Sequence, residues 1–144
     1  MQIIKSNKHK QTLKQYQKRL TFIQQYCKSD TNLNHKQKQK IIGFIERAVY
    51  FCRTQKIIQY EKTCYRFDRQ AVVSNIQQYK TYSSIYKMLQ ALSAEITTDD
   101  DLEIKDKVQL SKLLGYAIAH VLGKLNHKIM DPYLTSQKGK SVNL

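Results

Sequence analysis

The sequence predicts an all-α fold, a single domain of four or five helices with a bundle-like arrangement. One Pro and four Gly in 144 residues leave few positions at which a helix must break. Apolar residues make up 41% of the chain and recur at spacings of three and four, the pattern of helical faces. We expect a basic helical domain over residues 1–130 and a flexible C-terminal tail over residues 131–144.

The first helix is predicted over residues 8–28. Its apolar residues follow the 3-4-3-4 spacing of one helical stripe: Leu13, Tyr16, Leu20, Ile23 and Cys27. Phe22 and Tyr26 are expected to widen this stripe towards the end of the helix. A break is predicted at residues 29–32, where Ser, Asp, Thr and Asn follow one another.

A second helix is predicted to begin near Asn34, because Asn34 and Gln37 have the spacing of a capping box. Its body is apolar around more than half of its circumference, which indicates a central, buried helix: Ile41, Ile42, Phe44, Ile45, Ala48, Val49, Phe51 and Cys52. The aromatic segment 55–67 leaves two alternatives, a short β-hairpin or a helix end followed by an irregular loop.

Residues 68–95 also have two interpretations. Asp68 is a candidate N-cap, and residues 80–84 are poor helix formers, so the segment has the outline of a helix-turn-helix-like unit. Tyr86 and Lys87 would then lie on the polar side of its second helix, where they would reach phosphates and bases. One continuous helix over residues 69–95 explains the same pattern.

The last helix is predicted to begin after the run of Thr and Asp at residues 97–101, with a Thr cap and acids in its first turn, and to end at Asp131-Pro132. Small residues recur every four positions along it, at Gly115, Ala119 and Gly123. Such a smooth strip favours close approach of another backbone, which is either a helix of this chain or a second copy of the protein.

Positive charge is concentrated in the first half of the chain. Residues 1–66 contain fifteen Lys and Arg against three acids, a balance of +12, whereas residues 67–144 have ten against eight, a balance of +2. Residues 1–29 contain no acid at all. Like charges on neighbouring helical turns repel one another, which indicates that an anion relieves them. Nucleic acid is the favoured partner, ahead of a basic surface that is merely solvated and of an anionic membrane surface or acidic protein.

The candidate contacts combine this charge with tyrosines that stand beside cations. Ten Tyr and no Trp occur in the chain, and a Tyr next to Lys or Arg is suited to base stacking with a phosphate contact. The predicted nucleic-acid-binding residues are Lys5, Lys8, Lys10, Lys14, Lys18, Arg19, Lys36, Lys38, Lys40, Tyr86 and Lys87.

The sequence has none of the motifs that would predict catalysis, a metal or a cofactor. It lacks a C-x-x-C pair, a Gly-rich phosphate loop and an H-E-x-x-H motif. Its three cysteines do not form a disulfide framework, no apolar run approaches the roughly 18 residues that span a bilayer, and the first residues lack the core of a signal peptide. We therefore expect a non-enzymatic intracellular protein, cytoplasmic or nuclear, with no membrane partner.

These observations lead to a functional hypothesis and one alternative. The chain is predicted to be a non-catalytic nucleic-acid-binding accessory subunit of a larger nucleoprotein or DNA- or RNA-modifying complex, with DNA slightly favoured over RNA. A protein partner or a homo-oligomer is expected in addition. The alternative is a helical scaffold or adaptor subunit that docks on a larger enzyme through the Gly115–Gly123 face, without direct contact to nucleic acid.

Overall fold

The computed structural model describes residues 2–57 and 75–142, and it places side chains over residues 8–57 and 75–125. Within these ranges the chain forms four helices and no strand. They are α1 (Gln2–Ser29), α2 (His35–Thr54), α3 (Ile76–Thr97) and α4 (Ile104–Val142). The predicted all-α, bundle-like fold is therefore confirmed.

Helix α1 buries the stripe that its spacing predicts. Leu13, Leu20 and Cys27 are at most 1% exposed, and Tyr16 and Ile23 are 4% exposed. The prediction that Phe22 and Tyr26 widen this stripe was wrong, because Phe22 is 65% and Tyr26 37% exposed. At about 100° per residue, both positions turn away from the line of buried residues.

Helix α2 begins with the predicted capping box. The Gln37 backbone N–H donates to Asn34 Oδ1 at 2.8 Å, and the Asn34 backbone N–H donates to Gln37 Oε1 at 2.9 Å. The helix ends where Gln55 adopts a left-handed conformation with φ of 57°, and the Gln55 N–H donates to the Phe51 carbonyl. The sequence left a β-hairpin and an irregular loop as alternatives for residues 55–67. Residues 58–67 of this segment lie outside the described residues.

The helices pack around the bundle in the order α1, α2, α4, α3, with a smaller contact between α3 and α1. Lys28 at the end of α1 contacts Lys38 in the first turns of α2, and the earlier Gln24 contacts the later Glu46. Gln55 after α2 contacts Asp106 at the start of α4. Both pairs of neighbours are therefore antiparallel. Arg19 pairs with Glu95, and Asp30 with Thr81, so α3 also runs antiparallel to α1.

Helix α3 continues through residues 80–84, where the helix-turn-helix interpretation requires a turn. Thr81 and Tyr82 are 4% and 0% exposed, so their burial outweighs their weak helix propensity. Asn75 caps the helix by accepting from the Gln78 backbone N–H at 2.9 Å. The helix-turn-helix-like unit is thus not confirmed, and the proposed cap Asp68 lies outside the described residues.

Helix α4 begins close to the predicted start after Asp101, but it does not end where the sequence predicted. The acids of residues 99–103 precede the helix, which begins at Ile104. At the other end the helix continues through Asp131 and Pro132 to Val142. Proline removes one backbone hydrogen bond and crowds the preceding turn, which bends a helix but does not always end it. A flexible tail over residues 131–144 stays a prediction.

Candidate nucleic-acid interface

The cations of α1 divide between two sides of the helix. On the side towards the bundle, Lys8 Nζ lies 2.9 Å from Asp101 Oδ1, and Arg19 Nη1 lies 2.6 Å from Glu95 Oε2. The Asp101 carboxylate raises the pKa of Lys8 above its ordinary value of 10.5, so this lysine stays charged. Both cations were predicted to bind phosphate, and the structure shows each already paired with an acid of this chain.

The acids that form these ion pairs with α1 lie within residues 95–103, as do two more acids that contact this helix. His9 Nδ1 lies 3.2 Å from Glu103 Oε1, and the Tyr16 hydroxyl donates to Asp99 Oδ2 at 2.5 Å. The prediction that these acids fill the first turn of the last helix was wrong. They hold the end of α3 and the segment before α4 against the basic side of α1, and this pairing accounts for part of the unbalanced charge in the sequence.

The opposite side of α1 carries an outward line of three lysines, Lys10, Lys14 and Lys18. Each is exposed, and within the described residues none has an ion pair or a hydrogen bond. Their i, i+4 spacing places them on successive turns of one face, about 6 Å apart along the axis. Lys5 belongs to the same basic helix, but its side chain lies outside the described set. On α1, the outward line is the part of the predicted phosphate surface that remains open.

The three predicted lysines of α2 have different surroundings. Lys36 is exposed and unpaired within the part of the chain that the structure describes. Lys38 Nζ donates to the Lys28 carbonyl at 3.1 Å and so ties the start of α2 to the end of α1. Lys40 is half-buried and already engaged in an interaction. At the far end of α2 the exposed Arg53 guanidinium lies 5.6 Å from the centre of the Tyr50 ring, a cation that the sequence did not single out.

Tyr86 and Lys87 on α3 point in different directions. Tyr86 is half-buried and packs against the core, so only part of its ring is accessible. Lys87 is exposed. Because α3 is a single helix, the two residues do not belong to a recognition helix after a turn. Lys87 stays a candidate contact, whereas stacking on Tyr86 would require the ring to leave the core.

An apolar groove of about 270 Å³ separates α1 from α3, and sequence reasoning missed it. Its walls are Arg19, Phe22 and Ile23 on α1 and Met88, Ala91 and Leu92 on α3. Phe22 stands on one rim, and Tyr26 follows one turn later on the same side of α1. A helical wheel of α1 would have identified Phe22, because it falls outside the stripe on which Leu20 and Ile23 lie.

The strip of small residues on α4 does not support a close internal contact at Gly115. Gly115 is exposed, and no atom lies within 4 Å of the position that a Cβ would take there. Ala119 is half-exposed, and so is Gly123. Of the two alternatives predicted for the strip, close packing against another helix of this chain is therefore wrong at Gly115.

The same helix also exposes two large apolar side chains. Ile104 is 79% exposed and Val108 is 63% exposed.

The buried cysteines are poor nucleophiles. Burial raises the pKa of the Cys27 thiol to about 11 and that of the Cys52 thiol to about 12. Both stay protonated at neutral pH, which is consistent with a packing role. Among the described residues, no group of three or more His, Cys, Asp or Glu is placed to hold a metal ion.

Two further observations concern membrane spans and known proteins. In the described ranges, no helix has an apolar stretch long enough to cross a bilayer. None of the protein-family models, curated proteins or solved structures compared with the chain matches it.

Proposed function

We propose that the protein is a non-catalytic nucleic-acid-binding accessory subunit of a larger nucleoprotein or nucleic-acid-modifying complex. The observation that carries this proposal is the outward line of Lys10, Lys14 and Lys18. All three are exposed, and no acid of the described chain pairs with them. Three like charges on successive turns repel one another, and a phosphate backbone relieves that repulsion while releasing its condensed counterions.

Few acids lie on the two helices that carry exposed cations. Along α1, α2 and the segment between them, the only acids are Asp30 and Glu46. Asp30 accepts from the Leu33 backbone N–H at 2.7 Å and from the Thr81 hydroxyl at 2.7 Å. Glu46 accepts from Gln24 Nε2 at 2.8 Å. Lys36 and Arg53 add exposed positive charge on α2.

The test is a salt titration of binding to duplex and single-stranded oligonucleotides, measured by fluorescence anisotropy. We expect a log–log slope of about −4 or steeper for the wild-type protein. The triple variant Lys10→Gln, Lys14→Gln, Lys18→Gln should flatten the slope on duplex DNA by about 0.9 for each lysine that contacts phosphate. Parallel titrations with RNA strands determine whether DNA is preferred.

A charge-matched control removes three lysines from α4 instead: Lys105→Gln, Lys107→Gln and Lys112→Gln. This variant has the same net charge as the α1 variant, so equal losses would mean that only total charge matters. Equal losses, or a flat response of the wild type to salt, would contradict the proposed surface. Circular dichroism of both variants confirms that the helices are retained.

The exposed face of α4 favours a second candidate, a helical scaffold or adaptor subunit. Ile104 and Val108 leave large apolar side chains in water, and Gly115 on the same helix leaves room for a close approach. Under this function, Val108→Glu should abolish recovery of a defined protein partner, and the α1 triple variant should retain it. Absence of oligonucleotide binding at low salt would favour this candidate over the first.

A further inference from the structure

We infer that the α1–α3 groove takes an unstacked base of a single-stranded nucleic acid, with the Phe22 ring as the stacking surface. The inference rests on the proposed function, and it specifies the substrate class as single strand. Phe22 is the most exposed aromatic side chain that the structure describes, at 65%, and it forms one wall of a groove whose other walls include Ile23 and Leu92. A flat apolar ring beside an apolar cleft is the arrangement on which bases stack in single-strand binders.

The size of the groove limits what can occupy it. About 270 Å³ is just below the range of about 300–1,000 Å³ that small-molecule pockets span. A partner helix inserts several side chains at i, i+3, i+4 and i+7 along an extended groove, which this cleft is too small to receive. One planar group of the size of a base fits the available space better.

The charge around the groove selects an anionic ligand. Lys18 lies one turn before Phe22 on α1, and Lys87 lies one turn before Ala91 on α3, so an exposed lysine flanks the groove on each helix. Glu95, one turn after Ala91 on α3, is paired with Arg19, whose Nη1 lies 2.6 Å from its Oε2. A ligand with a flat apolar group and flanking negative charge matches this arrangement, and a nucleotide has both.

The spacing of the aromatic residues favours a single strand over a duplex. Phe22 and Tyr26 are four residues apart on α1, which places their Cα atoms about 6 Å apart along the helix axis. Stacked bases in a duplex are about 3.4 Å apart along each strand. Two neighbouring bases could stack on the two rings only if they were unstacked from one another. An unpaired strand allows this, and a duplex does not.

The absence of tryptophan from the chain provides a direct assay. Phe22→Trp introduces a single tryptophan at the groove, and Val108→Trp places the same reporter at a comparably exposed position on α4. Titration with oligo(dT) at low salt should quench the fluorescence of the first variant and leave that of the second unchanged. Abasic oligonucleotide of equal length should bind without quenching either variant, since it supplies phosphate but no base.

Affinities provide the second readout. Phe22→Ala should weaken binding of oligo(dT) by about 5- to 150-fold, as expected for the loss of one stacked base, while binding of a duplex changes little. Val108→Ala is the matched control and should bind both ligands as the wild type does.

Two results separate the failure of this inference from the failure of the proposed function. If oligo(dT) binds by anisotropy but neither quenches the Phe22→Trp variant nor responds to Phe22→Ala, the inference is wrong although the proposed function stands. Absence of binding to any oligonucleotide would overturn both. Quenching of the Phe22→Trp variant by an acidic peptide but not by oligo(dT) would overturn the inference only.

Discussion

The Tyr16 hydroxyl donates a hydrogen bond of 2.5 Å to Asp99 Oδ2 and thereby joins the middle of α1 to the segment between α3 and α4. The Tyr16 ring is 4% exposed, and burial, together with this carboxylate, raises the pKa of the hydroxyl well above its usual range. The contact acts together with the buried stripe of Leu13, Leu20 and Cys27, which turns Lys10, Lys14 and Lys18 away from the bundle.

Removal of this hydroxyl should lower the stability of the fold. A hydrogen bond to a charged group contributes about 1.5–3 kcal/mol, so Tyr16→Phe should reduce the free energy of unfolding by about that amount in urea melts. Tyr50→Phe serves as the control, because Tyr50 is half-exposed and its contact with Arg53 involves the ring. A Tyr16→Phe variant as stable as the control would mean that the bond to Asp99 is not maintained in solution.

Removal of the Tyr82 hydroxyl should instead increase the stability of the fold. Tyr82 is 0% exposed, and its hydroxyl has no hydrogen-bond partner within the described residues. Burial raises the pKa of this group beyond its usual range, so the phenol stays neutral. An unsatisfied buried polar group costs about 1–3 kcal/mol, and Tyr82→Phe should therefore increase the free energy of unfolding by about 1 kcal/mol. A loss of stability in the same urea experiment would show that the hydroxyl is bonded.

Local signals in the sequence predicted the parts of the fold that depend on local spacing. The buried stripe of α1 and the capping box of Asn34 and Gln37 each involve residues within a few turns of one another, so their patterns are visible along the chain. The continuity of α3 was harder to predict, because weak propensity at residues 80–84 competes with the burial of Thr81 and Tyr82. Propensity alone could not show which effect is larger.

The candidate site depends on contacts between residues that are distant in sequence. Tyr16 and Asp99 are 83 positions apart, and no periodicity relates them. Lys8 and Lys10 are equivalent by composition, but only Lys8 meets an acid once α3 packs beside α1. The sequence could therefore predict a basic first helix, whereas the division between paired and open lysines required the positions of the helices.

The carboxyl group of Asp106 should make stability depend on pH. Asp106 is 2% exposed, and burial, with Glu103 nearby, raises its pKa above the ordinary value of 3.8; Lys105, the hydrogen bond from Gln55 and His9 oppose the shift. Between pH 3.8 and the raised pKa, the folded state binds more protons than the unfolded state. The destabilising contribution of Asp106 is thus absent below pH 3.8, grows across this window and is complete above the raised pKa.

Asp106→Asn removes this ionisation and allows the contact with Gln55 to persist, because the side-chain oxygen still accepts. The stability difference between the variant and the wild type should be small at pH 3 and should increase in favour of the variant towards pH 7. Urea melts across that range measure it. Asp100→Asn, at an exposed position, should show no such increase. A variant that loses stability as pH rises, relative to the wild type, would mean that the negative charge at the start of α4 is favourable.

Gly43 on α2 and Gly115 on α4 test how open these two helix surfaces are. Neither Gly43 nor Gly115 has an atom within 4 Å of an added Cβ, and neither has a positive φ. Alanine at each position should therefore raise the free energy of unfolding by about 0.5–1 kcal/mol, the usual gain over glycine within a helix. A lower free energy of unfolding for Gly115→Ala would mean that a neighbouring atom lies closer than the structure places it.

Gly115→Leu then separates a solvent-exposed strip from an interface. Because the position is open in the single chain, leucine should leave the urea-measured stability of the monomer intact. If a second copy approaches closely along Gly115, Ala119 and Gly123, the larger side chain should dissociate it, and sedimentation velocity at two protein concentrations should show the loss of the associated species. Gly43→Leu on α2 is the matched control and should leave association unchanged. Equal sedimentation of wild type and Gly115→Leu at both concentrations would show that no copy of the chain packs on this strip.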